Sequence, residues 1–115
     1  MRILLVDDEM YNIEAFKILL NLHCNIDTDA ICDVAWNGEE ALQKVKDNVE
    51  KNSGSWCDYE LILMDCNMPI MDGCESTYLI RSFLHSKKLK QPIISAVTGH
   101  SSQSYALKAI HCGVN

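Results

Sequence analysis

The chain has 115 residues, 48% hydrophobic and 23% charged, which fits one compact globular domain and excludes collagen, low-complexity and disordered chains. Sixteen acidic against ten basic residues give a net charge of −6, the wrong sign for a domain that binds nucleic acid directly. No apolar run approaches the ~18–20 residues of a membrane span, and the short amino-terminal run is no export signal, so an intracellular domain without membrane contact is expected.

Taken in chain order, Ile3-Leu4-Leu5-Val6 is a short, unbroken apolar run of the kind that forms a strand buried on both faces, and it runs into Asp7-Asp8-Glu9. Ile13, Phe16, Leu19 and Leu20 then mark the inner face of a helix. Ile31 to Trp36 is a weaker strand signal. Asn37 with Glu40 three residues on predicts a capped helix start, followed by Ala41, Leu42, Val45 and Val49 on one face. Asn52-Ser53-Gly54-Ser55 reads as a surface loop. Leu61-Ile62-Leu63-Met64 repeats the first design and runs into Asp65. Asp72 with Glu75 opens another helix, carried on by Leu79, Ile80, Phe83 and Leu84. Residues 92–98 predict a further strand ending at Thr98. Ala106, Leu107 and Ile110 mark a last helix that Gly113 would close.

Strands alternating with helices predict an open parallel sheet with helices on both faces. In such sheets the ligand site lies beyond the carboxyl ends of the strands, where the strand order reverses. That places Asp7, Asp8, Asp65 and Thr98 in one crevice. Taken singly each has a plainer role: Asp7, Asp8 and Glu9 as first-turn acids, Asp65 as a turn residue, Thr98 as an N-cap. Taken together they bring like charges into contact, at about 4 kcal/mol per pair near 4 Å in an effective dielectric near 20. A divalent cation is the natural counter-charge, and an all-oxygen site suits Mg²⁺. A carboxylate beside such an ion can also attack phosphorus to give an aspartyl phosphate.

Val6-Asp7-Asp8-Glu9, the run from Leu63 to Gly73 (Asp65-Cys66-Asn67-Met68-Pro69-Ile70-Met71-Asp72-Gly73 at its heart), and Val97-Thr98-Gly99 resemble the receiver domain of two-component response regulators. Asn37-Gly38-Glu39-Glu40-Ala41-Leu42 is similar to that family's second-helix opening. The resemblance spans residues 1–115 and implies a flavodoxin-like fold. It implies Asp65 as phosphoacceptor, Asp7, Asp8 and Asp65 as Mg²⁺ ligands, Asn67 as a fourth through its backbone carbonyl, and Thr98 as the switch hydroxyl. Asn67 and His100 match positions that tune the lifetime of the phosphorylated state. The implied partners are a histidine kinase or a histidine phosphotransfer domain, and the Asp-Cys-x-Met-Pro spelling leans toward the receiver part of a hybrid kinase.

One departure bears on this. The family carries a lysine at the end of a fifth strand, usually followed by proline. Here the chain ends at Asn115, so the expectation is a receiver domain lacking its last βα unit. That leaves a degenerate pseudo-receiver, an interaction module without phosphorylation, as the alternative. A Mg²⁺-dependent phosphatase with an aspartyl nucleophile is less well matched, because the residue two after Asp65 is Asn67 rather than an acid. The six cysteines (24, 32, 57, 66, 74 and 112) show no C-x-x-C and no metal-ligand spacing with His23, His85, His100 or His111, so they read as small buried residues in a reducing compartment. Residues 76–115 hold Arg81, Lys87, Lys88, Lys90 and Lys108 and no acid, read either as a solvated helix end or as a docking patch.

Overall fold

A computed structural model describes residues 1–65, 68 and 70–97. In chain order the elements are β1 (Arg2–Val6), α1 (Met10–Cys24), α2 (Thr28–Ile31), β2 (Cys32–Ala35), α3 (Gly38–Lys51), β3 (Tyr59–Asp65), α4 (Gly73–Ser86) and β4 (Ile93–Val97). The strands form one all-parallel sheet in the order β2-β1-β3-β4. The predicted last helix lies outside the described residues, as do Asn67, Thr98 and His100.

Side-chain alternation along the strands divides the core in two. Leu4, Val6, Ile62, Met64 and Ile94 face one way, against Ala41, Val45 and Val49 of α3 and Ile80 and Leu84 of α4. Ile3 and Leu5 face the other way, against Ile13, with Phe16, Leu20, Leu61 and Leu63 partly buried around them. Both faces are thus covered, which is why the strand runs are apolar throughout rather than alternating. Leu19 corrects the predicted inner face of α1. It is exposed, because Ile13, Phe16 and Leu20 already meet the sheet.

Both predicted caps form. Asn37 Oδ1 accepts from the Glu40 amide at 2.9 Å, and its Nδ2 donates to Glu40 Oε2 at 3.2 Å. Asp72 Oδ1 accepts from the Glu75 amide at 2.8 Å. The two helix starts also lock to each other through Gly38. Its amide donates to the Met71 carbonyl at 3.0 Å, and its own carbonyl accepts from Ser76 Oγ at 2.8 Å. A Cβ at Gly38 would lie 2.5 Å from the Met71 oxygen and 2.8 Å from Ser76 Cβ, so only glycine permits this approach.

Two readings of the surface change. Cys24 is exposed at the end of α1, Cys32 and Cys57 are half-buried, and Cys74 is disulfide-bonded. Cys24 and Cys74 therefore depart from the expected set of small buried thiols; Cys66 and Cys112 lie outside the described residues. Arg81 is not part of a solvated helix end. It donates from Nη1 to the Pro92 carbonyl at 2.7 Å and to Gln91 Oε1 at 3.1 Å, tying α4 to the start of β4. Lys87, Lys88 and Lys90 are exposed as expected. Among the described residues no helix is long and apolar enough to cross a membrane.

Candidate functional site

The order β2-β1-β3-β4 reverses direction between β1 and β3, since the chain steps first to one side of β1 and then to the other. The crevice beyond the carboxyl ends of these two strands is therefore the place for a ligand. Parallel register brings the acids there. Val6 is in register with Met64, so Asp7, the next residue along, comes level with Asp65, the last residue of β3. Asp7, Asp8 and Asp65 each offer a carboxylate oxygen, and these atoms lie within 4.8 Å of one another. On the far side of β3, Asp65 is in register with Val97, after which the chain continues to Thr98.

The three acids sit in different surroundings. Asp7 is only 2% exposed, Asp65 is half-buried and Asp8 is exposed. Burial of Asp7 is supported by donors. The Glu9 amide gives Asp7 Oδ1 a hydrogen bond of 2.9 Å, and Asn12 Nδ2 lies 3.3 Å from Oδ1 and 3.2 Å from Oδ2. The Asp7 amide itself donates to the Ala35 carbonyl at 3.2 Å, which pins the turn out of β1 to the end of β2. Asn12 was not a candidate on sequence grounds. Its signal was a lone amide in the first turn of the helix that follows the acidic run.

The donor set tests the Mg²⁺ expectation directly. It is all-oxygen, anionic and partly open to solvent, which fits a hard cation that keeps several waters, and contains no soft ligand. Two of the expected participants, Asn67 and Thr98, lie outside the described residues. The three carboxylates are brought together as expected.

Fold and site together define a doubly wound α/β domain with an acidic crevice at its switch point. The family model for the response regulator receiver domain matches residues 3–115, and the chain belongs to that family. It is 37% identical over 122 residues to hybrid signal transduction histidine kinase B of Dictyostelium discoideum, covering 99% of this chain and 6% of that protein. The chain thus spans a small part of the relatives it matches. Among solved structures it is similar to the receiver domain of the histidine kinase CKI1 from Arabidopsis thaliana complexed with Mg²⁺, at 30% identity and a TM-score of 0.83, covering 98% of this chain and 78% of that one. It is also similar to the Saccharomyces cerevisiae receiver domain of Ssk1, solved with the histidine phosphotransfer protein Ypd1, at 30% identity and a TM-score of 0.76, covering 100% of this chain and 74% of that one. This is a receiver domain of the kind found in hybrid histidine kinases and phosphorelays. Nothing among the described residues favours the pseudo-receiver alternative.

Proposed function

We propose that this domain accepts a phosphoryl group on Asp65 from a phosphohistidine and relays it within a His–Asp signalling chain. The observation that carries this is the position of Asp65: last in a buried strand, beside Asp7 and Asp8, in a chain of the receiver family. An Asp65 carboxylate oxygen forms the new P–O bond while the P–N bond of phosphohistidine breaks, and the imidazole leaves with a proton. Asp7, Asp8, Asp65 and the Asn67 backbone carbonyl would hold Mg²⁺, whose charge supports the phosphoryl oxygens. Thr98 would then hydrogen-bond the bound phosphoryl group and report its presence.

The donor is a histidine kinase or a histidine phosphotransfer protein. The complex of a similar receiver domain with Ypd1 supports this class of partner, and the hybrid kinase relatives support a place inside a longer kinase chain. A domain working beside such a kinase would lie inside the cell.

The test is to incubate the chain with a small phosphodonor and Mg²⁺ and map the added mass. A single phosphoryl group on Asp65, labile to hydroxylamine and to base as an acyl phosphate is, and absent from Asp65→Asn, is the expected result. Modification at another residue, or equal labelling of Asp65→Asn, would overturn the assignment.

A further inference from the structure

The Asp7 carboxylate is nearly sealed from water, and what holds it in place is not another ligand of the cluster but the first turn of α1. A carboxylate has about four acceptor positions. At Asp7 the Glu9 amide and Asn12 Nδ2 both address Oδ1, at 2.9 and 3.3 Å, while Oδ2 receives only Asn12, at 3.2 Å. Oδ2 is therefore the oxygen with more capacity left. The Glu9 amide alone would leave the carboxylate free to swivel about its bond to Cβ. Asn12 removes that freedom, because its single amide nitrogen spans both oxygens.

We infer that Asn12 is a positioning residue for the metal site: its carboxamide fixes the rotation of the Asp7 carboxylate, so that the oxygen Asp7 offers to the cation is set in place before the cation arrives. This rests on the reading of Asp7, Asp8 and Asp65 as a Mg²⁺ site. The physical logic is that of an outer-shell partner. A ligand oriented in advance loses less freedom on binding, and substitution of such partners costs ~10–100-fold in metal affinity. The contacts are long for N–H···O bonds, which places the expected effect at the low end of that range. Asn12 is itself exposed, so the packed core does not depend on it. Alanine is a better helix former than asparagine at the same position.

The experiment measures Mg²⁺ affinity by amide chemical shifts of the metal-free chain, with melting temperature in EDTA as the control for folding. Asn12→Ala should bind Mg²⁺ roughly tenfold more weakly, with an unchanged or slightly higher melting temperature in EDTA. Asn12→Gln keeps the donor on a longer stem and should recover part of the loss. Equal affinity in Asn12→Ala and the unmodified chain would overturn the inference while leaving the metal site standing. Equal losses in Asn12→Ala and Asn12→Gln, with lowered melting in EDTA, would overturn it in favour of a folding role. Equal Mg²⁺ affinity in the unmodified chain and in an Asp7→Ala, Asp8→Ala double variant would remove the metal reading itself, and the inference with it.

Discussion

At the amino end of the sheet Asp33 and Asp58 are each matched with their own donors, a cation among those of Asp33; at the carboxyl end Asp7 has neutral donors from the Glu9 amide and Asn12, but three carboxylates are gathered against one another. At the amino end Asp33 takes both nitrogens of the Arg2 fork, at 2.9 and 2.8 Å, and the Tyr59 hydroxyl at 2.6 Å. Nearby, Asp58 accepts from Trp56 Nε1, Asn48 Nδ2 and Asn52 Nδ2. At the carboxyl end Asp7, Asp8 and Asp65 converge, and among the described residues no lysine or arginine pairs with Asp7 or Asp8. The same residue type thus serves the fold at one end and opposes it at the other. Local conflict of the second kind is expected where a ligand must complete the structure.

The strongest way to break this comparison is to remove the matched acid. Asp33→Ala should destabilise the chain by about 2 kcal/mol, because it leaves a half-buried guanidinium and a buried phenol without their acceptor. Denaturant unfolding measures this, and a change below a few tenths would show that the amino end is only a surface pair. The pH dependence has a defined sign. The Arg2 fork, aided by Tyr59 and opposed by burial, holds the Asp33 carboxyl below its usual range. Its stabilisation is therefore full above the unfolded value and fades as pH falls below about 4. Burial first, then the bond to Asp33, holds the Tyr59 phenol well above its ordinary value. That contribution is full below about pH 10 and is lost as pH rises further.

A smaller effect sharpens the other side. Ile70, in the segment between Asp65 and α4, has φ +72° and is 76% exposed. A β-branched residue in the left-handed region is strained, and here its side chain is not repaid by burial. Ile70→Asn, which tolerates that conformation, should raise stability by about 1 kcal/mol in a melt or denaturant titration. A loss of stability would show that the carboxyl end does not store strain at this position.

What could be read in advance followed from short-range physics. The runs ending at Val6 and Met64 identify buried parallel strands, and the pairs Asn37–Glu40 and Asp72–Glu75 identify two helix starts. Those signals put Asp7 and Asp65 at one edge of the sheet; that the two come level depends on the pairing of β1 with β3, which only the structure supplies. The misses depend on geometry that no local pattern encodes. Helix α2 has only four residues, too few to show a period. Strand β3 begins at Tyr59, earlier than its apolar run, because Tyr59 is held by Asp33 from another strand. The Arg2–Asp33 pair joins residues 31 apart, and Asn12 meets Asp7 only because the chain folds back on entering α1.

The smallest expected effect is the most direct contrast with Asp33. Asp8→Asn removes one charge from the crowded end and keeps the side chain's shape. Asp8 is exposed, so water and salt screen its repulsion with Asp7 and Asp65, and the gain in metal-free stability should be only about 0.5 kcal/mol. That gain should grow at low ionic strength and vanish at high salt, since exposed charges are screened within about 10 Å at 0.1 M. With Mg²⁺ present the order should reverse. An ion that binds only the folded chain raises stability by RT ln(1 + [L]/Kd), so the unmodified domain should gain melting temperature with added Mg²⁺ while Asp8→Asn gains less. Paired melts with EDTA and with Mg²⁺, at two salt concentrations, read both signs. If Asp8→Asn destabilises the metal-free chain as Asp33→Ala does, the acids at the carboxyl end hold the fold together and the contrast between the two ends fails.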